Sequence, residues 1–183
     1  MQAYNLLAAL LDYPSDELLA ELRTEVQSAG SARSLVDRAD ASGVCSDEEK
    51  DRVATFIDWM LAQEPTLLQS NYVQTFDLTP EHSLHLTHHL FGDDKNRGPA
   101  LIDLTEYYKT YGFKLRDEQE LPDYLPLVLE FVSQLGRDEA AVFLADVAKV
   151  LKVLAGNLEE AGSTWAPLVR VIENHGSLTR LAA

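Results

Sequence analysis

Histidines form the densest group of chemically active side chains in this sequence. Four of the five lie at positions 82, 85, 88 and 89. On a helix, His82, His85 and His89 would share one face, because they are spaced three and four residues apart. Imidazole nitrogens arranged in this way bind zinc and other transition metals. A metal-binding protein centred on these three side chains is therefore one hypothesis.

The surrounding sequence does not complete such a metal site. Neither Cys nor Glu occurs at ligand spacing from the histidines, although Asp93 and Asp94 could supply oxygen ligands. Closed structural sites use four well-placed ligands, so we expect no bound metal. Two other interpretations stay open. The rings could be half-buried and bonded to backbone carbonyls, or His85 and His89 could contact a bound peptide and respond to pH.

Signatures of catalysis are missing elsewhere in the sequence. It contains no Gly-rich dinucleotide fingerprint, P-loop, Cys-x-x-Cys pair, His-Glu-x-x-His motif, Glu-x-x-His motif or Gly-x-Ser-x-Gly elbow. The single cysteine, Cys45, cannot form an intramolecular disulfide, which favours a reducing compartment. We expect no enzymatic activity and no cofactor.

The chain is strongly acidic: its 183 residues include 15 Lys and Arg against 30 Asp and Glu, a net charge of −15. Such a field repels nucleic acid and anionic lipid and attracts basic partners. No window approaches the run of about 18 apolar residues that a membrane span needs. The first residues lack the basic region and apolar core of a signal peptide. We therefore expect a cytoplasmic protein that binds no nucleic acid and does not insert into membranes.

Helices must position these side chains, because apolar residues recur at spacings of three and four and strand signals are nearly absent. Caps, Pro and Gly mark about ten helices. They predict an all-α fold, with residues 1–183 as a single globular domain. The predicted helices run from Gln2 to Asp12, Ser15 to Ala29, Arg33 to Ala39, Ser46 to Leu61, Pro65 to Phe76, Thr79 to Phe91, Pro99 to Tyr111, Asp123 to Leu135, Asp138 to Glu160 and Thr164 to Gly176.

The helix predicted to start at Asp123 carries two carboxylates of interest. If Asp123 is its N-cap, Pro126 falls at the third helical position, where no intrahelical donor is needed. Glu130 follows seven residues later on roughly the same face. We expect both carboxylates to line a groove for a basic peptide.

Four other side chains have simpler expected roles. Tyr72 and Phe76 lie one helical turn apart, which favours packing in the core. Asp77 lies at the unfavourable C-terminal end of that helix, so we expect it to cap the next helix or to meet a cation. Arg97 is predicted to pair with one of the two loop aspartates named above or with a carbonyl, and so to shape the loop.

Six short segments resemble, in order and spacing, motifs of the respiratory nitrate reductase assembly chaperones, the delta-subunit or NarJ family. They are Leu10–Pro14, Tyr72–Asp77, Ser83–Leu86, His89–Gly92, Arg97–Leu104 and Glu120–Pro126, together with Tyr108, Gly112 and Leu129–Phe131. Each segment alone is a weak signal, but the set is specific. The sequence departs from the family pattern at Pro99 and in the loop at Lys95 and Asn96.

The resemblance implies an all-helical, TorD-like chaperone. Such a protein binds the N-terminal segment of a molybdoenzyme catalytic subunit and assists insertion of the molybdenum cofactor and an iron–sulfur cluster before the subunit docks on the membrane. It is not a component of the finished enzyme. Nitrate reductase is the expected client, with a related dehydrogenase or oxyanion reductase as the alternative. Tight binding of the anionic cofactor by the chaperone alone is not expected, because the chain is acidic and has no Gly-rich anion nest.

Motif and pattern together give nine candidate peptide-binding residues. They are Tyr72, Phe76, Asp77, His85, His89, Arg97, Asp123, Tyr124 and Glu130.

Overall fold

The computed structural model describes residues 2–92, 94–114 and 120–176. Within these ranges the chain forms α-helices joined by turns and no strand, which confirms the all-α prediction. The helices are α1 (Ala3–Leu11), α2 (Asp16–Ala29), α3 (Ala32–Ala39), α4 (Asp47–Ala62), α5 (Pro65–Tyr72), α6 (Leu86–Phe91), α7 (Arg97–Thr110), α8 (Leu125–Val132), α9 (Arg137–Glu160) and α10 (Ala166–His175). None of these helices is long and apolar enough to cross a membrane.

Helix starts follow the local sequence closely. The hydroxyl of Ser15 accepts a hydrogen bond from the amide of Leu18 at 3.1 Å, so Ser15 caps α2. At the start of α4, the hydroxyl of Ser46 accepts from the amide of Glu49, and the Glu49 carboxylate accepts from the amide of Ser46. Both caps were predicted, because a capping motif needs only residues within one turn.

Apolar side chains from most of the helices form the core. Helix α1 is buried along most of its length and packs against α8, while α9 packs against α10. The ring of Trp165 lies 5.9 Å from that of Tyr72 and 5.5 Å from that of Phe76, measured between centroids. Tyr72 and Phe76 are 3% and 5% exposed, which confirms that the pair packs in the core.

The single helix predicted from Thr79 to Phe91 is wrong. Helix α5 is followed by a π-helical turn (Val73–Asp77) and a 3-10 turn (Pro80–His82), and α6 begins only at Leu86. Between them the backbone pairs with the segment before α8: the amide of Leu125 donates to the carbonyl of Leu84 at 2.9 Å. This long-range pairing takes the backbone around His85 out of the helical conformation.

The predicted cap of α8 is also wrong. Helix α8 begins at Leu125 with Tyr124 in the cap position, and it ends at Val132 rather than Leu135. Pro126 therefore lies in the first turn, where its missing N–H has no consequence. Asp123 precedes the cap, and its side chain bonds to a different helix.

Helix α7 begins at Arg97 instead of Pro99, and Gly112 after it has φ 72°, the left-handed conformation predicted for the helix end. Within Arg97–Thr110, all of which the structure describes, Tyr108 alone is buried. The hydroxyl of Tyr108 donates to the carbonyl of Pro122 at 2.8 Å, which fastens α7 to the segment before α8.

Candidate functional site

Asp123 lies at the meeting point of three segments. Its carboxylate is buried, with the residue 1% exposed. One oxygen accepts from the amide of Thr87 at 3.0 Å and from the Thr87 hydroxyl, and the other lies 3.2 Å from Nδ1 of His85. Because Thr87 is the second residue of α6, Asp123 caps α6 from a distant part of the chain.

A cation completes the surroundings of this carboxylate. Nη2 of Arg97 lies 3.7 Å from Oδ2 of Asp123, and Nε of Arg97 donates to the Thr87 hydroxyl at 3.0 Å. Burial alone would raise the pKa of Asp123, but hydrogen bonds from His85 and Thr87 outweigh it and lower the pKa below its ordinary value. Asp123 is therefore an ionised carboxylate inside the fold.

Two tyrosine hydroxyls continue the network toward α1. The Tyr72 hydroxyl donates to the carbonyl of Leu11 at 2.9 Å and lies 3.0 Å from the Tyr124 hydroxyl. The Tyr124 hydroxyl in turn lies 3.0 Å from Oδ1 of Asp12. The Tyr124 ring lies 5.3 Å from the ring of His85. We call this network the hub; its members are Asp12, Tyr72, His85, Thr87, Arg97, Asp123 and Tyr124.

The hydroxyls of the hub stay protonated at physiological pH. Burial raises the pKa of Tyr72, and the carboxylates of Asp12, Asp77 and Glu120 raise it further. Burial also raises the pKa of Tyr124, with Tyr72 and Asp12 adding to the effect. The negative charges of three carboxylates therefore act on the tyrosine pair, and one of them, Asp12, contacts it directly.

The histidines do not form the shared face that their spacing predicted. Nδ1 of His82 lies 3.1 Å from the carbonyl of Thr75, and Nε2 of His89 lies 2.7 Å from the carbonyl of Ser83. Burial lowers the pKa of His89. Within the part of the chain that the structure describes, no three His, Cys, Asp or Glu side chains are grouped as a metal site would require.

The other predicted site residues have mixed outcomes. Arg97 contacts Thr87 and Asp123, whereas Asp94 accepts from the amide of Asn96. Asp93 lies outside the described residues. Asp77 is exposed at the end of the π-helical turn.

Glu130 lies in α8, seven residues after Asp123. It lines a cleft of about 870 Å³ formed by the start of α1, the end of α3 and the α8–α9 turn. The described residues that line this cleft include Arg38 and Arg137 but not Asp123. This cleft therefore does not bring the two carboxylates together, and a peptide groove that contains both stays a prediction.

Asp12 and Thr87 belong to the hub and were missed. Asp12 is the variable position inside the Leu10–Pro14 motif, and Thr87 directly follows the Ser83–Leu86 motif. Nothing in their local sequence indicates a partner, because Asp12 and Tyr124 are 112 positions apart. Proximity to recognised motifs was the only available signal.

Comparison with known proteins identifies the chain's relatives. A sequence model of the nitrate reductase delta subunit family matches residues 46–170, more than half of the chain. The chain belongs to this family. It is 32% identical over 163 residues to the nitrate reductase molybdenum cofactor assembly chaperone NarJ of Escherichia coli, covering 89% of this chain and 64% of that protein.

Two further relatives carry similar names. The probable nitrate reductase molybdenum cofactor assembly chaperone NarW of E. coli is 34% identical over 92% of this chain and 65% of its own length. The probable NarJ of Bacillus subtilis is 29% identical over 92% of this chain and 85% of its own length. The chain thus spans a little under two thirds of the E. coli relatives. The segments that resemble the delta-subunit motifs supply every residue of the hub except Thr87, which follows one of them.

Proposed function

We propose that this protein is an assembly chaperone for a nitrate reductase. It binds the N-terminal segment of the catalytic subunit and keeps the subunit competent for insertion of the molybdenum cofactor and an iron–sulfur cluster before membrane docking. It catalyses no reaction, holds no cofactor of its own and acts in the cytoplasm. One observation carries the proposal: in a member of the delta subunit family, separate family motifs converge on one hub, in which two hydrogen-bonded groups meet at the ring contact between His85 and Tyr124.

The surface above the hub suits a basic, partly apolar segment. Tyr13 is 42% exposed, Leu121 is 38% exposed, and the His85 side chain is 37% exposed. The carboxylate of Asp12 adjoins this surface, because its Oδ1 lies 3.0 Å from the Tyr124 hydroxyl, and Glu120 directly precedes Leu121 in the sequence. We call this surface the Tyr124 face; its members are Asp12, Tyr13, Asp77, His85, Glu120, Leu121 and Tyr124.

Electrostatic complementarity favours a cationic partner on the Tyr124 face. Apolar anchors surrounded by charge are typical of helix-in-groove recognition. Asp123 and Arg97 contribute differently. Both are engaged inside the hub, so they hold His85 and α6 in place beneath the bound segment.

Titration calorimetry tests this function. We expect a synthetic peptide copying the N-terminus of the nitrate reductase catalytic subunit to bind with one-to-one stoichiometry. Matching peptides from a related dehydrogenase and an oxyanion reductase should bind more weakly. Absence of heat and of competition at moderate salt would contradict the proposal, and stronger binding of another peptide would assign a different client.

Single variants locate the binding surface. Asp12→Asn and Tyr13→Ser should weaken binding about fivefold or more, because each removes a contact from the apolar centre or its charged edge. Glu160→Gln is the matched control, since Glu160 is exposed on α9. The neighbouring Glu159 is unsuitable as a control, because its carboxylate accepts hydrogen bonds from Arg170 at 3.0 and 2.6 Å.

A further inference from the structure

Helix α7 and the residue that follows it expose two tyrosines beside a phenylalanine of α9. Tyr107 is 39% exposed and Tyr111 is 44% exposed. Their ring centroids are 5.3 Å apart, and the Tyr107 ring lies 5.9 Å from that of Phe143 with an interplanar angle of 18°. We call Tyr107, Tyr111 and Phe143 the aromatic cluster.

Core packing does not explain the exposure of this cluster. The neighbouring Tyr108 is buried, 4.5 Å from Phe131 between ring centroids, and it fastens α7 to the hub side of the fold. Tyr107 and Tyr111 are one turn apart and contact the edge of the same core through Phe131. Each ring therefore leaves a large part of its surface open to solvent.

Helix α9 carries two carboxylates on the same helix face as Phe143 of the aromatic cluster. Glu139 and Asp146 lie seven residues apart on α9, on either side of Phe143 in sequence and on the same helix face. A hydrogen bond to Tyr111, followed by burial and by the charges of Glu139 and Asp146, raises the pKa of Tyr107 to about 12. The tyrosine is thus neutral, and its ring lies within the field of two carboxylates.

Open aromatic faces beside carboxylates attract a particular chemistry. The face of an aromatic ring is negative and binds guanidinium or ammonium groups within about 6 Å of its centroid. Carboxylates nearby add Coulomb attraction to the same ligand and repel anions. An uncharged apolar partner would gain nothing from Glu139 and Asp146.

We propose that the aromatic cluster is a second contact site, which binds an arginine or lysine side chain of the client segment. This site is separate from the Tyr124 face, and the two are joined through α7 by Tyr108. The identity of the partner rests on the proposed function, whereas recognition of the cation rests on the cluster itself.

Arginine amide, a small cation, tests the recognition without any client. Titration into the isotope-labelled full-length chain, followed by NMR, should give saturable shifts at Tyr107, Tyr111 and Phe143. Acetamide at equal concentration should give none. Linear shifts, or shifts confined to other surfaces, would overturn the proposal.

Variants then separate ring from charge effects. Tyr107→Leu should weaken arginine amide binding about two- to fivefold, and Glu139→Gln with Asp146→Asn should weaken it without altering any ring. Ile102→Ala is the control, because Ile102 is 64% exposed on the same helix. Unchanged affinity in both test variants would refute the site. Thermal melts identify any loss of folding in Tyr107→Leu and in the double variant, because the Glu139 carboxylate also accepts a hydrogen bond from the amide of Gly136 at 3.3 Å.

A second experiment with the client peptide tests which residue of the client the cluster binds. If arginine amide binds the cluster, one basic residue of the peptide should contact Tyr107. Replacing the basic residues one at a time with Gln should then reveal one replacement whose effect on the free energy of binding is not additive with that of Tyr107→Leu. Full additivity at every position would contradict this part of the proposal. Failure of the unmodified peptide to bind wild-type protein would instead contradict the proposed function, and the arginine amide result would still decide the cation site.

Discussion

Asp123 is a buried charge, so its effect on stability depends on the groups that surround it. Removing one partner of a buried ionic pair leaves the other charge uncompensated, which lowers the free energy of unfolding by about 3 kcal/mol or more. Asp123→Asn can keep an oxygen for the Thr87 donors, but it removes the negative charge that faces Arg97 and places an NH₂ group beside Nδ1 of His85. We expect this variant to lose about 3 kcal/mol in urea denaturation, instead of preserving a cap as Asn does at an ordinary N-cap.

Thr87→Val removes a smaller part of the same hydrogen-bond network and should have a smaller effect on stability. It removes the hydroxyl that links Arg97 to Asp123 but keeps the amide bond of the cap. A loss of about 1–2 kcal/mol is expected. Equal stability of Asp123→Asn, Thr87→Val and the Glu160→Gln control would show that the hub contributes nothing to folding.

Acid should destabilise the protein through the same residue. The pKa of Asp123 is lower in the folded state than in the unfolded chain, where it takes its ordinary value of about 3.9. Its contribution to stability is therefore complete above that value and is lost as pH falls toward the folded pKa. Urea denaturation from pH 7 to pH 3 should show this decline, and Asp123→Asn should have a shallower one. Parallel pH profiles would contradict the assignment.

The amino-acid sequence could predict those helices whose ends are set by local signals. Helix ends matched prediction within about two residues wherever a cap or a proline acts locally, as at Ser15, Ser46 and Pro65. The segment from Thr79 to Phe91 has good helical signals of its own, yet it pairs with residues about forty positions away. No local pattern encodes that pairing. Because the segment is not helical at His85, the His85 side chain lies beside Asp123 instead of on a shared face with His82 and His89.

The same limit applies to the candidate site. Family motifs identified Tyr72, His85, Arg97, Asp123 and Tyr124, and all five belong to the hub. Their roles could not be predicted, because a capping partner or an ion pair across segments depends on how α6, α7 and α8 pack.

Helices α9 and α10 provide a sharp test of packing between elements. A Cβ added at Gly176 would lie 2.3 Å from the carbonyl oxygen of Leu144, so the two helices approach too closely for any side chain there. Gly176→Ala should destabilise the protein by about 1–3 kcal/mol. Gly156→Ala in α9 is the matched change: the added Cβ meets no described atom within 4 Å, and helix propensity predicts a gain of up to about 1 kcal/mol. Thermal melts showing the same sign for both variants would contradict this packing.

For the whole molecule, the net charge of −15 should control how fast a basic client is found. Attraction between separated charges is screened beyond about 8 Å at physiological ionic strength, whereas contacts formed on the Tyr124 face are screened less. Raising the salt concentration from 50 to 500 mM should therefore lower the association rate constant of the peptide about tenfold and change the dissociation rate far less. Stopped-flow fluorescence measures both rates. A peptide with its Lys and Arg residues replaced by Gln should associate slowly at every salt concentration, and an association rate of the natural peptide that is insensitive to salt would show that the acidic field does not guide binding.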